Sequence, residues 1–300
     1  MLSIIVCTYN REKYIYKTLE SIAKNDFHYD KYEIVLINNN STDNTELECF
    51  CFQKKFPEVN FRYFIETKQG LSYARNRGIE EADGDVLIYV DDDAVVNKEY
   101  LRAYYELFAN DKQLYAAGGP IIPIYETKPP KWFSYYTKVL ITGYLYQGSK
   151  IGKFKKGYPG GGNAAYRKEV FEKVGYFNVE LGRKGNNLMG AEEKDIFDKM
   201  GTQNMKIVYT PDAILYHIIS DKKLTNEYFN RLTLSIGQSE RKRTLQISKA
   251  KYLNRLFFEG IKWAASLVLF IGYFLLLMPQ KGTKLLAFRW NVTNGLLGKQ

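Results

Sequence analysis

Three consecutive aspartates, Asp91, Asp92 and Asp93, follow the apolar residues 86–90. Three like charges behind a buried strand repel one another, which a plain turn does not require. Mg²⁺ and Mn²⁺ take carboxylate oxygens, usually one or two from the protein together with substrate phosphates. In an extended chain Asp91 and Asp93 point to the same side, so one can bind metal and the other a hydroxyl. The triplet indicates a metal–phosphate site; the alternative is a solvated helix N-terminus, where negative charge is favoured.

A second acidic cluster contains Glu192, Glu193 and Asp195 in the stretch "AEEKD". A carboxylate beside a cleft can act as a general base towards a hydroxyl. Adjacent residues on a helix point about 100° apart, so only one of the two glutamates faces a cleft well. The alternative interpretation is a solvated helix start.

The run "GGGN" at residues 160–163 follows a basic loop. Such a run approaches an anion, gives a bulky ligand room against bare backbone, or is a flexible turn. Other phosphate-binding signatures are missing, because the chain has neither G-x-G-x-x-G after its first strand nor G-x-x-x-x-G-K-[ST]. A G-x-S-x-G elbow is missing too. These absences disfavour Rossmann dehydrogenases, P-loop NTPases and α/β-hydrolases.

The elements that must position these residues alternate along the first hundred residues. Apolar runs predict strands at 2–7, 33–37, 60–65 and 86–90, and periodicity of 3.6 predicts helices at 12–24, 42–55 and 71–82. Strand–helix repetition with apolar strands predicts a parallel sheet covered on both faces. Ligands bind at the carboxyl ends of such strands, where Thr8, Asn38 to Asn40 and the aspartates meet.

Bulk composition is that of a globular chain, with 45% hydrophobic and 25% charged residues. The net charge of +10 favours anionic partners. No nucleic-acid-reading module accompanies it, so a nucleic-acid partner is not expected. Three cysteines without metal-ligand spacing suit a reduced interior, and the opening "MLSIIVCTYN" does not resemble a signal peptide.

The end of the chain is basic and then apolar. Residues 263–278 carry no charge, but sixteen residues fall short of the roughly 20 that span a bilayer. Cations flank the stretch on both sides: Lys262, Lys281, Lys284 and Arg289. The pattern predicts contact with an anionic membrane surface through a re-entrant or interface-lying helix. A single span or a buried soluble helix remains an alternative.

Six segments, in this order over residues 1–217, together resemble family 2 glycosyltransferases. They are "SIIVCTYNREKYIYKTLESI", "IVLINNNSTDNT", "KQGLSYARNRGIEEADGDVLIYVDDDAVV", "GGGNAAYRKEVFEKVGYFNVELG", "GAEEKDIF" and "IVYTPDAILYH". The resemblance implies the α/β GT-A fold, a central, mostly parallel twisted sheet flanked by helices, and inverting transfer from a nucleotide-sugar. We expect a glycosyltransferase domain at 1–220 (nucleotide half 1–110, acceptor half 111–220) and a helical, membrane-associating region at 221–300.

The resemblance also implies a role for individual residues. The donor would be bound by Thr8, Tyr9, Arg11, Asn38, Asn39, Arg75, Asp91 and Asp92. Asp93 would hold Mg²⁺ or Mn²⁺, with His217 near the metal or the diphosphate; a core histidine is the alternative. Glu193 would be the general base, with Glu192 before it. The acceptor or phosphate side would be formed by Gly161, Gly162, Asn163 and Arg241.

Three departures from the family pattern carry information. Asn38 and Asn39 replace the usual carboxylates, and because an amide both donates and accepts, they favour UDP or dTDP over GDP. Glu193 stands where aspartate is usual, which adds a methylene and keeps the chemistry. Gln238 and Arg241 weakly resemble the Q-x-x-R-W motif of processive synthases, but Lys242 replaces its tryptophan.

The predicted function is metal-dependent sugar transfer to a glycan or lipid-linked acceptor in polysaccharide biosynthesis, at the cytoplasmic face of a bacterial inner membrane. Three alternatives remain. They are a non-catalytic sugar-nucleotide or polysaccharide-binding partner on the same fold, a sugar nucleotidyltransferase, and a processive membrane polymerase.

Overall fold

The computed structural model describes residues 1–155, 157–185 and 187–299. Its strands are β1 (Leu2–Thr8), β2 (Tyr32–Asn38), β3 (Phe61–Ile65), β4 (Val86–Val90), β5 (Ala94–Val96), β6 (Leu114–Gly118), β7 (Ile121–Tyr125), β8 (Gly152–Lys153), β9 (Asn163–Arg167), β10 (Lys206–Tyr209) and β11 (Leu215–Ile219). Its helices are α1 (Ile15–Ala23), α2 (Thr45–Lys55), α3 (Leu71–Glu81), α4 (Tyr100–Asn110), α5 (Tyr135–Thr142), α6 (Glu169–Val174), α7 (Glu192–Thr202), α8 (Asn226–Ile247), α9 (Lys249–Leu275) and α10 (Pro279–Leu297).

The central sheet has eight strands in the order β3-β2-β1-β4-β9-β6-β10-β8. The first four run parallel to one another, as the alternating sequence predicted. Strand β9 then inserts antiparallel between β4 and β6. The predicted mixed sheet, mostly parallel and flanked by helices, is confirmed.

Side chains that alternate along the strands divide the interior into two cores, one on each face of the sheet. Ile4 and Val6 pack on one face with α1, α2 and α4. Ile5 packs on the opposite face with α3, α6 and α7. Both faces of the sheet are therefore buried, which leaves the strand ends as the place where polar side chains reach solvent.

A small second sheet, in the order β5-β11-β7, stands directly behind the aspartate triplet. Its strand β5 begins at Ala94, and Ala94 pairs with His217 on β11. The backbone N–H of Ile218 donates to the carbonyl of Asp93 at 2.9 Å. The aspartates therefore join two strands, and the alternative of a helix N-terminus is wrong, because the next helix begins only at Tyr100.

The chain forms two compact units. The first comprises Met1–Ile124, Tyr144–Val179 and Glu193–Ile218; the second comprises Tyr125–Gly143, Glu180–Glu192 and Ile219–Gln300. The sequence placed a boundary at 220 but did not predict that two earlier segments join the second unit. Aromatic packing accounts for one of them, because the rings of Trp132 and Phe229 lie 5.5 Å apart within that unit.

The helices α8, α9 and α10 pack on one another in the second unit, where four buried or nearly buried charged side chains link them. Arg255 Nε lies 3.2 Å from Glu240 Oε2, and Arg255 Nη1 lies 2.7 Å from Glu259 Oε2. Arg289 Nη1 lies 2.9 Å from Glu259 Oε1. Within the described residues, α9 is the helix long and apolar enough to cross a membrane, and 11% of its apolar window is buried in the protein.

Candidate active site

The loop after β1 brings Arg11 to the edge of the sheet. Asn10 has a positive φ of 53°, and its side-chain oxygen accepts from the N–H of Thr42 at 2.8 Å. The backbone N–H of Arg11 donates to Thr45 Oγ1 at 2.8 Å. Of the two residues before this turn, Thr8 is buried beside Asn38 and Tyr9 is exposed. Hydrogen bonds to residues 42–45 therefore fix the path of the loop after β1.

Arg11 partly neutralises the aspartates at the end of β4. Its Nε donates to Asp92 Oδ1 at 3.0 Å, and its Nη2 lies 3.7 Å from Asp93 Oδ2. Burial raises the pKa of Asp92, and the neighbouring Arg11 opposes that rise. The pKa of Arg11 is in turn raised, mainly by the charge of Asp92. One cation thus holds two carboxylates that would otherwise repel each other.

Asp93 and His217 offer two ligands for a divalent cation. His217 Nε2 lies 3.2 Å from Asp93 Oδ1, and both side chains are largely buried. Within the described residues no three His, Cys, Asp or Glu side chains form a metal cage. The Asp93 carboxylate suits Mg²⁺ or Mn²⁺, since such a cation completes its shell with water and substrate phosphate.

Glu193 lies at the start of α7 and is paired with an arginine from α3. Arg75 Nη1 lies 2.9 Å from Glu193 Oε1. The Arg75 side chain is 4% exposed and that of Glu193 is 21% exposed. The rings of Tyr89 and Phe177 lie 5.7 and 5.4 Å from the guanidinium carbon. The aromatic walls and the ion pair hold one carboxylate oxygen in place while Glu193 keeps contact with solvent.

Two adjacent glycines separate this glutamate from the aspartate triplet. A Cβ built on Gly161 would overlap Glu193 Oε1, and a Cβ built on Gly162 would overlap Asp91 Oδ2. The sheet register explains the second approach, because Asn163 pairs with Val90, so Gly162 lies beside Asp91. The glycine run is therefore a strip of bare backbone that two carboxylates contact, and its role towards a ligand stays a prediction.

Asn163 is fully buried, in contrast to the expected acceptor-side or phosphate contact. Its Nδ2 donates to the carbonyls of Pro120 and Ala213 at 2.9 and 3.0 Å. Its Oδ1 accepts from the hydroxyls of Tyr100 and Tyr104 at 2.8 and 2.7 Å. All four bonds stay inside the protein, so the contacts indicate that Asn163 anchors the glycine strip. The two tyrosines stand four residues apart on α4, a spacing that places them on one face of the helix.

The amides of Asn38 and Asn39 are also engaged inside the protein. Asn38 donates to the Tyr63 hydroxyl at 2.7 Å and accepts from the N–H of Ser41 at 2.9 Å. Asn39 donates to the carbonyls of residues 66 and 68, and its oxygen accepts from the N–H of Gly70 at 2.8 Å. Gly70 precedes α3, which carries Arg75. These contacts give no support to the expectation that either amide selects a uracil or thymine base.

Two further predicted residues lie in the second unit. Glu192 is buried, whereas its neighbour Glu193 is partly exposed, in keeping with the different directions of adjacent helical side chains. Arg241 is exposed on α8. Their assigned roles stay predictions.

A family model described as "Glycosyl transferase family 2" matches residues 3–175, more than half of the chain. The chain belongs to glycosyl transferase family 2. Among similar proteins is a glucosyl-dolichyl phosphate glucuronosyltransferase of Haloferax volcanii. It is 26% identical over 223 residues, which are 72% of this chain and 68% of the relative. The predicted family and enzyme class are confirmed.

A second family 2 relative comes from Methanococcus voltae. It is a dolichyl N-acetyl-alpha-D-glucosaminyl phosphate 3-beta-D-2,3-diacetamido-2,3-dideoxy-beta-D-glucuronosyltransferase. The two proteins are 31% identical over 161 residues, 52% of this chain. The match spans about half the length of this relative (49%).

Solved structures share the fold of this family 2 chain. The mannosyltransferase PcManGT from Pyrobaculum calidifontis, in complex with GDP-Man and Mn²⁺, aligns over 100% of this chain and 88% of its own, with a TM-score of 0.67 and 18% identity. Residues 1–349 of S. aureus TarS, in complex with UDP-GlcNAc, align over 99% and 92%, with a TM-score of 0.54 and 19% identity. The predicted GT-A fold is confirmed. One fold here accommodates both GDP- and UDP-linked donors.

Proposed function

We propose that this family 2 enzyme transfers a sugar, with inversion, from a nucleotide-sugar to a hydroxyl of a glycan or lipid-linked glycan. The observation that carries the proposal is the glycine strip. Gly161 adjoins the carboxylate of Glu193, and Gly162 adjoins the carboxylate of Asp91. A general-base candidate and a donor-binding group therefore stand on either side of two residues without side chains. A side chain at either glycine would displace one of these carboxylates, so the bare backbone keeps both in place for a bound sugar.

In the proposed reaction, the acceptor oxygen attacks C1 of the sugar as the C1–oxygen bond to the diphosphate breaks. The nucleoside diphosphate leaves with the bonding electron pair, and Glu193 takes the acceptor proton on a carboxylate oxygen. Such general-base assistance contributes roughly 10²–10⁴-fold. No general acid is required, because the diphosphate leaves as a stable anion; glycosidases instead use two carboxylates across the bond.

Charge on the leaving group is met by groups at the strand ends. A divalent cation held by Asp93 and His217 would supply electrostatic stabilisation to the diphosphate. Arg11 binds Asp92 and lies near Asp93, so its charge opposes their mutual repulsion and orients them for the ribose and the cation. Buried groups fixed in advance cost little reorganisation during the reaction.

We propose that the donor is a nucleotide-sugar, without assigning its base. Asn38 and Asn39 are engaged inside the protein and give no structural support to a preference for UDP or dTDP, so that preference rests on the sequence alone. UDP- and dTDP-sugars remain the donors to test first, with GDP-mannose beside them.

For the acceptor we propose a lipid-linked glycan at the cytoplasmic face of a membrane. Two relatives are named for transfer to dolichyl phosphate-linked sugars. The exposed apolar side chains of α9 agree with a location at lipid.

The central test replaces Glu193 by glutamine, with Glu172→Gln, at an exposed position of α6, as the control. Nucleoside diphosphate release is measured with Mn²⁺, a donor panel and a lipid-linked saccharide extract, and donor binding is measured by calorimetry. We expect Glu193→Gln to bind donor normally and to lose about 10²–10⁴-fold in turnover, while the control changes little. Near-normal turnover in Glu193→Gln would place the base elsewhere. Donor binding without release by the unmodified protein would instead support a non-catalytic binding partner.

A further inference from the structure

We propose that α9 and α10 form a re-entrant hairpin whose tip enters one leaflet of an anionic bilayer, to the depth of Lys281 and Lys284. The proposal deepens the proposed membrane location. It does not depend on sugar transfer, since its tests measure lipid binding. A hairpin of this kind neither spans the bilayer nor lies flat on it.

The two helices run antiparallel along their length. Four contacts join residues whose numbers sum to nearly the same value, which is the mark of an antiparallel pair. They are Phe270 against Gly282, Trp263 Nε1 to Thr293 Oγ1 at 2.9 Å, Glu259 to Arg289 at 2.9 Å, and the Tyr252 hydroxyl to the Leu296 carbonyl at 2.8 Å. The start of α9 and the end of α10 therefore lie at the same end of the hairpin.

The turn between them is short. Leu277 has a positive φ of 57°, and the N–H of Met278 donates to the carbonyl of Tyr273 at 2.8 Å. If α9 crossed a bilayer, α10 would have to cross beside it. That crossing would place Arg289 and Glu259 in hydrocarbon, where charges are costly even when paired. A span is thus incompatible with the hairpin.

The tip extends beyond the third helix. Lys284 Nζ donates to Asn226 Oδ1 at 2.6 Å, and Asn226 is the first residue of α8. Between Lys284 and the turn at Leu277, α8 therefore no longer flanks α9 and α10. Leu277, seven residues before Lys284, is 89% exposed, and residues 274–278 are all exposed and apolar. Seven residues at 1.5 Å each correspond to about 10 Å, close to the depth at which interfacial helices bury their apolar face.

The charges around the tip favour anionic lipid over a second copy of the chain. Lys281 lies one turn from the tip, and its Nζ lies 3.4 Å from Met278 Sδ. A two-fold contact between tips would bring the lysines of both copies together, where they would repel each other. Anionic headgroups instead attract lysines that flank an inserted apolar segment.

The test is flotation of the full-length protein with phosphatidylcholine vesicles. The vesicles are prepared with and without roughly 30 mol% of the anionic lipid phosphatidylglycerol. Leu277→Asp is compared with Leu253→Asp, since Leu253 is a 63% exposed leucine near the other end of the same helix. We expect Leu277→Asp to lose at least about tenfold in vesicle binding and Leu253→Asp to bind normally. Equal losses would show a helix lying flat and overturn the proposal.

A second pair of variants tests the charge. Lys281→Glu should weaken binding to anionic vesicles severalfold, whereas Lys249→Glu, at the far end of α9, should not. Resistance of the unmodified protein to alkaline extraction would indicate a span, and a dimer that Leu277→Asp converts to monomer without vesicles would indicate a second copy. Either result would overturn the proposal. Donor binding measured on the same samples reports separately on the glycosyltransferase site.

Discussion

The guanidinium of Arg75 lies 2.9 Å from the carboxylate of Glu193, and the two residues come from helices more than a hundred residues apart in the chain. Arg75 is the more buried partner, so its position is fixed and that of Glu193 follows from it. The ion pair is therefore a positioning device for the proposed base as well as a contact of the fold.

Replacing Arg75 by lysine tests whether this ion pair positions Glu193. Lysine keeps the charge but loses the planar fork and its stacking on Tyr89 and Phe177, so we expect turnover to fall by about 10–100-fold. Arg77→Lys, on the same helix and paired with Glu81, is the control and should stay near normal. Steady-state kinetics with saturating donor make the comparison. Equal effects of both substitutions would mean that Arg75 acts through the stability of α3 only.

The glycine strip predicts a change in activity without a matching change in stability. In Gly161→Ala the new methyl displaces the Glu193 carboxylate, and misplacement of a base by about 1 Å costs about 10²-fold. Gly152→Ala, where a Cβ meets open space, is the control. Urea unfolding should show a difference of less than about 1 kcal/mol between the variants. Normal turnover in Gly161→Ala would contradict the proposed place of the base.

Asp92 predicts a pH dependence of stability. Because burial raises its pKa in the folded protein, the folded state binds the proton more tightly than the unfolded chain, and stability falls as pH rises through the interval between the two values. The side chain of Asp92→Asn does not titrate and stays neutral. We therefore expect this variant to be more stable than the unmodified protein at pH 7, with a difference that shrinks towards acid pH. Donor binding should weaken.

The measurement is urea unfolding from about pH 4.5 to about pH 8. This range lies above the ordinary pKa of an aspartate, which is about 3.9. Asp85→Asn serves as the control, because that carboxylate is exposed. A less stable Asp92→Asn at pH 7 would show that attraction to Arg11 outweighs the cost of burial.

Asn163 predicts a large loss of stability. Asn163→Ala removes a partner from two tyrosine hydroxyls and two carbonyls in a fully buried site, and of these the Pro120 carbonyl keeps a bond from the Leu215 N–H. Each such group costs about 1–3 kcal/mol, so we expect a loss of at least about 3 kcal/mol in the free energy of unfolding. Tyr104→Phe should cost less. Asn110→Ala, at the exposed end of α4, should change stability by no more than about 0.5 kcal/mol. A mild effect at Asn163 would mean that water replaces its amide.

The sequence predicted the elements around the site better than the bonds within it. Strand β4 and the parallel order of the first four strands followed from apolar runs, and the end of β4 brought the aspartates to the sheet edge. The antiparallel insertion of β9 did not follow, because its pairing with β4 links residues more than seventy positions apart. For the same reason the buried bonds of Asn163 and Asn39 were missed, since an amide in a loop has the same appearance in a sequence whether it binds a ligand or the protein itself.

Asn39 links the end of β2 to the loop that starts α3, and α3 carries the arginine that holds Glu193. A substitution at Asn39 intended to retarget the enzyme to another nucleotide would therefore also disturb the carboxylate of Glu193, the proposed base. Redesign of donor preference has to treat residues 66–70 and Asn39 as one unit, or begin at side chains that have no share in this connection.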